Sequence, residues 1–169
     1  MIYCKFTTDV RFPSGQTVTH TYSKSLSESF KIAPNFTLRE LANNKASESV
    51  KAIWNSDVDK HCRMIQEFRN LTGVCNVTSW YRTASYNRKI GGSKNSLHLK
   101  ALATDIKYPK LADTKYKYLL TTWQSICKKW GVIGGINRYT NGVHLSSRED
   151  LFGYKDFVIR DYRGKSGDW

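Results

Sequence analysis

The stretch that decides this fold reads SLHLKALATD and runs from Ser96 to Asp105. Some forty residues later the chain reads Val-His-Leu, centred on His144. Two imidazoles, from His98 and His144, and the carboxylate of Asp105 can hold a catalytic zinc ion and leave a fourth position open for water. An extended chain would separate His98 from Asp105 by about 20 Å, too far for ligands of one ion. The chain must therefore turn back, which predicts His98 on a loop, Asp105 on a strand and His144 on a neighbouring strand.

Length and composition indicate one folded domain. The chain has 169 residues, enough to bury a core without metal or disulfide staples. Hydrophobic residues make up 40% and aromatic residues 13%, as in a packed globular protein. No apolar stretch reaches the ~20 residues of a membrane span, and we predict no secretory signal. The cysteines are scattered, so we predict free, buried thiols rather than a disulfide framework at Cys4, Cys62, Cys75 and Cys127.

The net charge is +13, which indicates an anionic partner. The cations concentrate around the first histidine: residues 81–112 contain seven Lys and Arg side chains and one acid, Asp105. Nucleic acid is one such partner, and interleaved aromatic residues such as Trp80 and Tyr86 fit that reading. No recognised nucleic-acid motif accompanies them, so a nucleic-acid partner is disfavoured. A basic surface that only aids solubility remains an alternative.

Hydrophobic periodicity predicts an α+β domain. The predicted helices are a short one opened by a capping box of Thr37 and Glu40, then Ser56–Leu71, then Asp113–Trp130 with a stop at Gly131. The predicted strands are a hairpin within residues 2–23, then Val74–Tyr81, Val132–Ile136, Gly142–Ser146 and Phe157–Arg160. We divide the chain into a hairpin extension, 1–34, and a main domain, 35–169. The tail from Tyr162 to Trp169 is predicted to be loose.

Several further motifs accompany the two histidines. In chain order they are VTSWYRT (Val77–Thr83), YNRKIGG (Tyr86–Gly92), NSLH (Asn95–His98), GGI (Gly134–Ile136), Tyr139 and Val143–His144. Together they resemble the zinc peptidases of the D-alanyl-D-alanine carboxypeptidase and L-alanyl-D-glutamate endopeptidase family, over residues 35–148. The resemblance implies a small, mainly antiparallel sheet with two or three helices packed on it. Such enzymes act on bacterial cell-wall peptides, and many are carried by phages.

The resemblance implies roles for five residues. His98, Asp105 and His144 would hold Zn²⁺, which would activate water and polarise an amide carbonyl. Arg82 would lie in the substrate cleft, where a guanidinium suits a carboxylate or a developing oxyanion; a solvated cation is the alternative. Ser96 matches a position that contacts substrate or shapes the site, and a capping hydroxyl is the alternative. The other two histidines, His20 and His61, are predicted to lie at the surface.

Three positions depart from the family pattern, two where relatives carry the general base and one where the family usually has Gly. Relatives carry the general base three residues before the last histidine, here Asn141, or an Asp two residues after it, here Ser146. Neither an amide nor a hydroxyl is a base at neutral pH. The nearest acids in sequence are Glu149 and Asp150, which are the remaining candidates for proton transfer. The family also favours Gly at Ala101, where a positive φ would cost about 1 kcal/mol.

These observations predict a zinc metallopeptidase that hydrolyses an amide bond in peptidoglycan stem peptides. The alternative is a catalytically impaired zinc-binding relative that serves as a wall- or virion-binding module, because Asn141 and Ser146 replace the usual bases. Family habit implies a phage origin, with holin-dependent release from the host cytoplasm or carriage in the virion. The expected partner is the anionic bacterial wall.

Overall fold

An N-terminal hairpin leads into the molecule, which the computed structural model describes over residues 6–22, 31–42 and 53–164. Strands β1 (Phe6–Arg11) and β2 (Thr17–Tyr22) pair antiparallel, which confirms the predicted hairpin within the described residues. Its turn ends at Gly15, whose φ of +85° favours glycine. The ring of Phe12 lies 5.6 Å from that of Trp130, so the hairpin rests against the body of the protein.

A second, shorter pairing opens the main part of the chain. Strand β3 (Lys31–Ala33) pairs antiparallel with β4 (Phe36–Thr37). Helix α1 (Leu38–Leu41) follows, and the predicted capping box is present: Thr37 Oγ1 accepts from the Glu40 backbone N–H, and the Glu40 carboxylate accepts from the Thr37 N–H. This cap satisfies two backbone donors that the first turn of a helix leaves free.

A five-stranded sheet forms the centre of the molecule. Its strands are β5 (Asn76–Ser79), β6 (Ala103–Lys107), β7 (Gly135–Tyr139), β8 (Gly142–Ser146) and β9 (Val158–Asp161). They lie in the order β5-β6-β8-β7-β9, and every neighbouring pair is antiparallel except β7 and β9. The predicted α+β fold with a small, mainly antiparallel sheet is confirmed.

Three more helices complete the described structure. They are α2 (Ser56–Thr72), α3 (Ala84–Lys89) and α4 (Asp113–Lys129). Helix α2 is capped by Asn55, whose Oδ1 accepts from two backbone N–H groups of the first turn. Helix α4 ends in a Schellman motif: Gly131 has φ +62°, and the Val132 N–H donates to the Cys127 carbonyl. Within the described residues, no helix is long and apolar enough to cross a membrane.

Helices α2 and α4 cover one face of the sheet and form the core with it. Trp123 of α4 is fully buried, and its Nε1 donates to the carbonyls of Gly135 and Ser146 on the two central hairpin strands. From α2, His61 Nε2 lies 2.9 Å from Thr104 Oγ1 on β6. Successive side chains of a strand point to opposite faces, so Thr104 and Ile106 face the helices and Asp105 faces away.

The prediction for His61 was wrong. We expected a surface residue because it follows a charged stretch, but it is fully buried, edge-on to the rings of Trp80 and Trp123. Residue 61 lies three positions after Val58 and four before Ile65, and both of these are buried on the inward face of α2. Helical spacing therefore decides its exposure, and the local charge does not. The side chain of His20 lies outside the described part.

The start of strand β7, the C-terminal segment and the exposure of one cysteine differ from the predictions. Strand β7 begins at Gly135 rather than near Val132, because Val132 is used in the helix cap. Tyr162 is not loose: its N–H donates to the Arg138 carbonyl and its ring lies 5.5 Å from that of Tyr139, whereas residues 165–169 lie outside the description. Cys62, Cys75 and Cys127 are free; the first and last are buried and Cys75 is partly exposed, while Cys4 lies outside the described residues.

Candidate metal centre

Three elements meet at the face of the sheet that the helices leave open. His98 belongs to a 3₁₀ turn, Leu97–Lys100, and Asp105 and His144 belong to strands β6 and β8. Asp105 is the direct antiparallel partner of His144, so the two side chains project from the same face. Between His98 and Asp105 the chain reverses at Ala101, which has φ +55° and ψ +25°.

The structure brings the three predicted ligands into contact. His98 Nε2 lies 3.1 Å from His144 Nδ1 and 3.2 Å from Asp105 Oδ2, and His144 Nδ1 lies 2.8 Å from Asp105 Oδ1. A tetrahedral zinc ion with bonds of 2.0–2.1 Å separates its ligand atoms by about 3.3 Å. The observed separations therefore match a possible metal site, and His98 and Asp105 are almost completely buried there.

The protonation state of His98 also fits a ligand. Its Nδ1 lies 2.6 Å from the Trp80 carbonyl oxygen, which can only accept, so Nδ1 carries the proton and Nε2 presents a lone pair. A backbone carbonyl in this position fixes the tautomer and orientation of a ligating imidazole. Burial lowers the pKa of His98, and His144 and Arg82 lower it further, against the opposing effect of Asp105. The neutral form, which is the one that binds metals, is therefore favoured.

Asp105 is held as a carboxylate. Burial by itself would raise the pKa of Asp105, but His98 and His144 beside it hold that pKa well below its usual range. Arg82 adds a further contact: its Nη2 donates to Asp105 Oδ2, while its Nε donates to Ser79 Oγ at 2.8 Å. A charged, oriented carboxylate is the state that a metal ion requires of a ligand, and these neighbours hold Asp105 in that state.

A cavity of about 570 Å³ opens over the three side chains. Both other residues that the motifs singled out, Arg82 and Ser96, lie on its wall. The Ser96 Oγ accepts from the His98 N–H at 3.3 Å, so it caps the turn that carries the first histidine. Asn141 does not line the cavity; it is exposed at the β7–β8 turn.

The family model described as Peptidase M15 matches residues 34–146. This chain belongs to the peptidase M15 family. The resemblance drawn from the motifs is therefore confirmed, and this family of peptidases is zinc-dependent. No curated protein matches the chain. The match ends at Ser146, although residues beyond it also line the cavity.

The two acids that follow the last histidine lie in different places. Glu149 is buried and lines the cavity of the candidate metal centre, and its Oε1 accepts from the Ser146 Oγ at 2.6 Å. Asp150 pairs with Arg148 and lines a separate cavity with Asp57. Ser146 stands two residues after the last histidine, where some relatives carry an Asp. Its hydroxyl donates instead to the carboxylate of Glu149, three residues later in the chain.

Sequence reasoning missed the wall of the cavity that follows the matched region. Phe152, Tyr154, Arg160 and Tyr162 line it together with Asn137 of β7. The first four come from the segment between the 3₁₀ turn after Arg148 and the residue that follows the last strand. None of the five lies in the motifs quoted above. The one available signal was Arg160 itself, a cation in a segment predicted to be a strand at the end of the domain.

Proposed function

We propose that this chain is a zinc-dependent metallopeptidase that hydrolyses an amide bond in peptidoglycan stem peptides. The observation that carries this proposal is the convergence of His98 Nε2, His144 Nδ1 and the Asp105 carboxylate at a cavity, within the part that matches the M15 peptidases. His98, Asp105 and His144 are the proposed ligands. When bound, Zn²⁺ supplies Lewis acidity that polarises the scissile carbonyl and activates water.

Arg82 has two proposed tasks at this site. It orients Asp105 through Nη2, and Ser79 fixes the other edge of the guanidinium. Because Arg82 also lines the cavity, its permanent charge stabilises negative charge that develops on the carbonyl oxygen of the substrate. Ser96 has a positioning role, since its hydroxyl caps the turn that carries His98.

Glu149 is the proposed proton carrier. Among the described residues that line the cavity, the carboxylates are Asp105 and Glu149, and Asp105 is assigned to the metal. The Ser146 hydroxyl donates to Glu149 Oε1, and we assign proton transfer to Oε2, which lies 3.6 Å from Arg160 Nη2, beyond hydrogen-bond distance. We expect Oε2 to take a proton from the attacking water and to deliver it to the leaving amine as the C–N bond breaks.

The test is a mass spectrum of purified peptidoglycan after incubation with the zinc-loaded protein. New muropeptides that His98→Ala does not produce would support the peptidase, and the mass lost identifies the bond. Glu149→Gln should lower the rate by about 10²- to 10⁴-fold with its zinc content unchanged. Glu67→Gln is the matched control, because Glu67 contacts Lys129 and Trp130 away from the cavity. Full activity of Glu149→Gln would remove Glu149 from the mechanism.

A second candidate function is a zinc-binding module that holds wall peptides without cleaving them. The residues Asn141 and Ser146, in place of the family's acids, favour it. Unchanged digests across several wall types, with stoichiometric zinc bound and with retention on insoluble peptidoglycan, would support this module and reject the peptidase.

A further inference from the structure

Arg160 lies in the same row of the sheet as the candidate metal centre. Asp105 pairs with His144, His144 pairs with Asn137, and Asn137 pairs with Arg160. Neighbouring strands lie about 4.8 Å apart, so two strand spacings put the backbone of Arg160 about 10 Å from that of His144. Residues paired directly across strands share a face, and Arg160 and His144 both line the cavity. An extended peptide bound at the metal centre therefore reaches Arg160 within two or three residues.

The guanidinium of Arg160 is held in place from three sides. Its Nη1 donates to Asn137 Oδ1 at 3.3 Å, and its Nη2 lies 3.6 Å from Glu149 Oε2. The ring of Tyr154 lies against it, 5.3 Å from ring centroid to guanidinium carbon. The side chain nevertheless remains 28% exposed. Because the guanidinium is already held in place, less side-chain conformational entropy is lost when a ligand binds to Arg160.

The charges of the cavity favour an anion at Arg160. Among the described residues on its wall, Arg82 is paired with Asp105, whereas Arg160 is paired with Glu149 at a distance longer than a hydrogen bond. The two arginines and the two carboxylates balance in charge. A divalent cation held by the three proposed ligands would therefore make the cavity net positive. A guanidinium presents parallel N–H donors that match the two oxygens of a carboxylate.

We infer that Arg160 binds a free carboxylate of the substrate, two or three residues from the bond that is cut. This inference rests on the proposed function and adds a determinant of specificity to it. Arg160 comes from a strand outside the matched region, so the preference for a free acid is a property of the C-terminal wall of this chain. A substrate in which that carboxylate is an amide loses the charge and one acceptor oxygen, and it should bind weakly.

The experiment compares synthetic stem peptides that differ only in whether this carboxylate is free or amidated. With the zinc-loaded protein, Arg160→Gln should lower the ratio of kcat/KM for the free-acid peptide to kcat/KM for the amidated peptide by about 10- to 100-fold. Because Arg160 also contacts Glu149 Oε2, a change in kcat should be the same for the two peptides and cancels in this ratio, and Arg160→Lys should restore part of the preference. Arg163→Gln is the matched control, because Arg163 pairs with Asp113 and Asp161 outside the cavity.

Equal losses on the two peptides would overturn the role of Arg160. Binding of the same peptides by calorimetry separates this outcome from a failure of the proposed function. If wild type cleaves nothing, the peptidase is rejected, but a preference for the free acid that Arg160→Gln abolishes would still support the carboxylate site. If wild-type protein binds both peptides equally, the inference fails whatever the activity. Zinc content and a cooperative thermal transition establish that each variant is folded.

Discussion

The two faces of the central sheet use histidine in opposite ways. On the helix-covered face, His61 is buried between two tryptophans and contacts a single hydroxyl, that of Thr104. On the open face, His98 is almost equally buried, but its Nε2 points at a second imidazole and a carboxylate. Thr104 and Asp105 are neighbours on one strand, so the pleat alone separates the two environments. Convergence of lone pairs, and not burial, distinguishes a ligand from a core residue.

The protonation of the two histidines reflects the same contrast. Burial lowers the pKa of His61 to about 3, and the electrostatic effects of His98 and His144 act in the same direction. Its Nδ1 has no hydrogen-bond partner within the described residues. His61 is therefore a neutral packing group, whereas His98 has the Trp80 carbonyl to fix its tautomer for binding.

The largest expected effect comes from the open face. His144→Ala removes one of the three proposed ligands, and zinc affinity should fall by more than about 100-fold, since even changes behind a ligand cost 10- to 100-fold. Peptide hydrolysis should fall to background. The metal-free variant should still unfold cooperatively, because the core lies on the other face. Zinc titration and thermal unfolding of the two proteins measure this, and loss of the cooperative transition would mark a zinc ion required for folding.

The next effect belongs to the core face and appears as pH dependence. The pKa of His61 is about 3 when folded, against an ordinary value of 6.5, so the unfolded chain binds the additional proton between these limits. The resulting stability is fully present above pH 6.5 and is lost as the pH falls toward 3, by about 1.4 kcal/mol per pH unit. His61→Gln keeps a group for the Thr104 hydroxyl and should lack this slope.

Denaturant unfolding of metal-free protein at several pH values tests this difference. Subtracting the variant's profile from that of wild type leaves the contribution of His61, including its electrostatic interaction with His98 and His144. If the free energies of unfolding of the two proteins change in parallel with pH, then the pKa of His61 is the same in the folded and unfolded states. That result would contradict the electrostatic difference between the two faces of the sheet.

The smallest effect concerns Ala101, where the chain reverses between the two proposed ligands His98 and Asp105. Ala101 is buried with φ +55°, so Ala101→Gly relieves about 1–2 kcal/mol of left-handed strain. It also removes a buried methyl group, worth about 0.8 kcal/mol, and makes the unfolded chain more flexible by about 0.4–1 kcal/mol. These effects nearly cancel, and we expect a change below about 1 kcal/mol in the free energy of unfolding.

Ala103→Gly is the matched control for that substitution. Ala103 is equally buried, but it lies in strand β6 without a positive φ, so glycine relieves nothing there. We expect it to destabilise by about 1–2 kcal/mol. Equal losses at the two positions, measured by urea unfolding, would contradict the account of strain at Ala101.

Local signals predicted much of this structure. Apolar periodicity and Gly131 located helix α4 to within one residue, and the Thr37 capping box located the start of α1. Strand β8 was predicted with its observed bounds, Gly142–Ser146. In each case the information lies within a few neighbouring residues, because capping, left-handed glycine and strand alternation are short-range effects.

Contacts between segments that are distant in sequence could not be predicted from these local signals. The buried position of His61 depends on which face of α2 meets the sheet, and the role of Glu149 depends on Ser146 reaching it. The sequence flagged Glu149 and Asp150 equally, and only the tertiary structure separates them into two cavities.

By itself, the sequence determined the family, the α+β class and the types of ligand available, because linked motifs and local periodicity are written in chain order. Only the tertiary structure decided that Asp105, His144, Asn137 and Arg160 form one row. Strand register is the physical reason: a shift of one residue would turn every side chain of a strand to the other face. That register depends on burial across the whole sheet, which no single stretch of the chain contains.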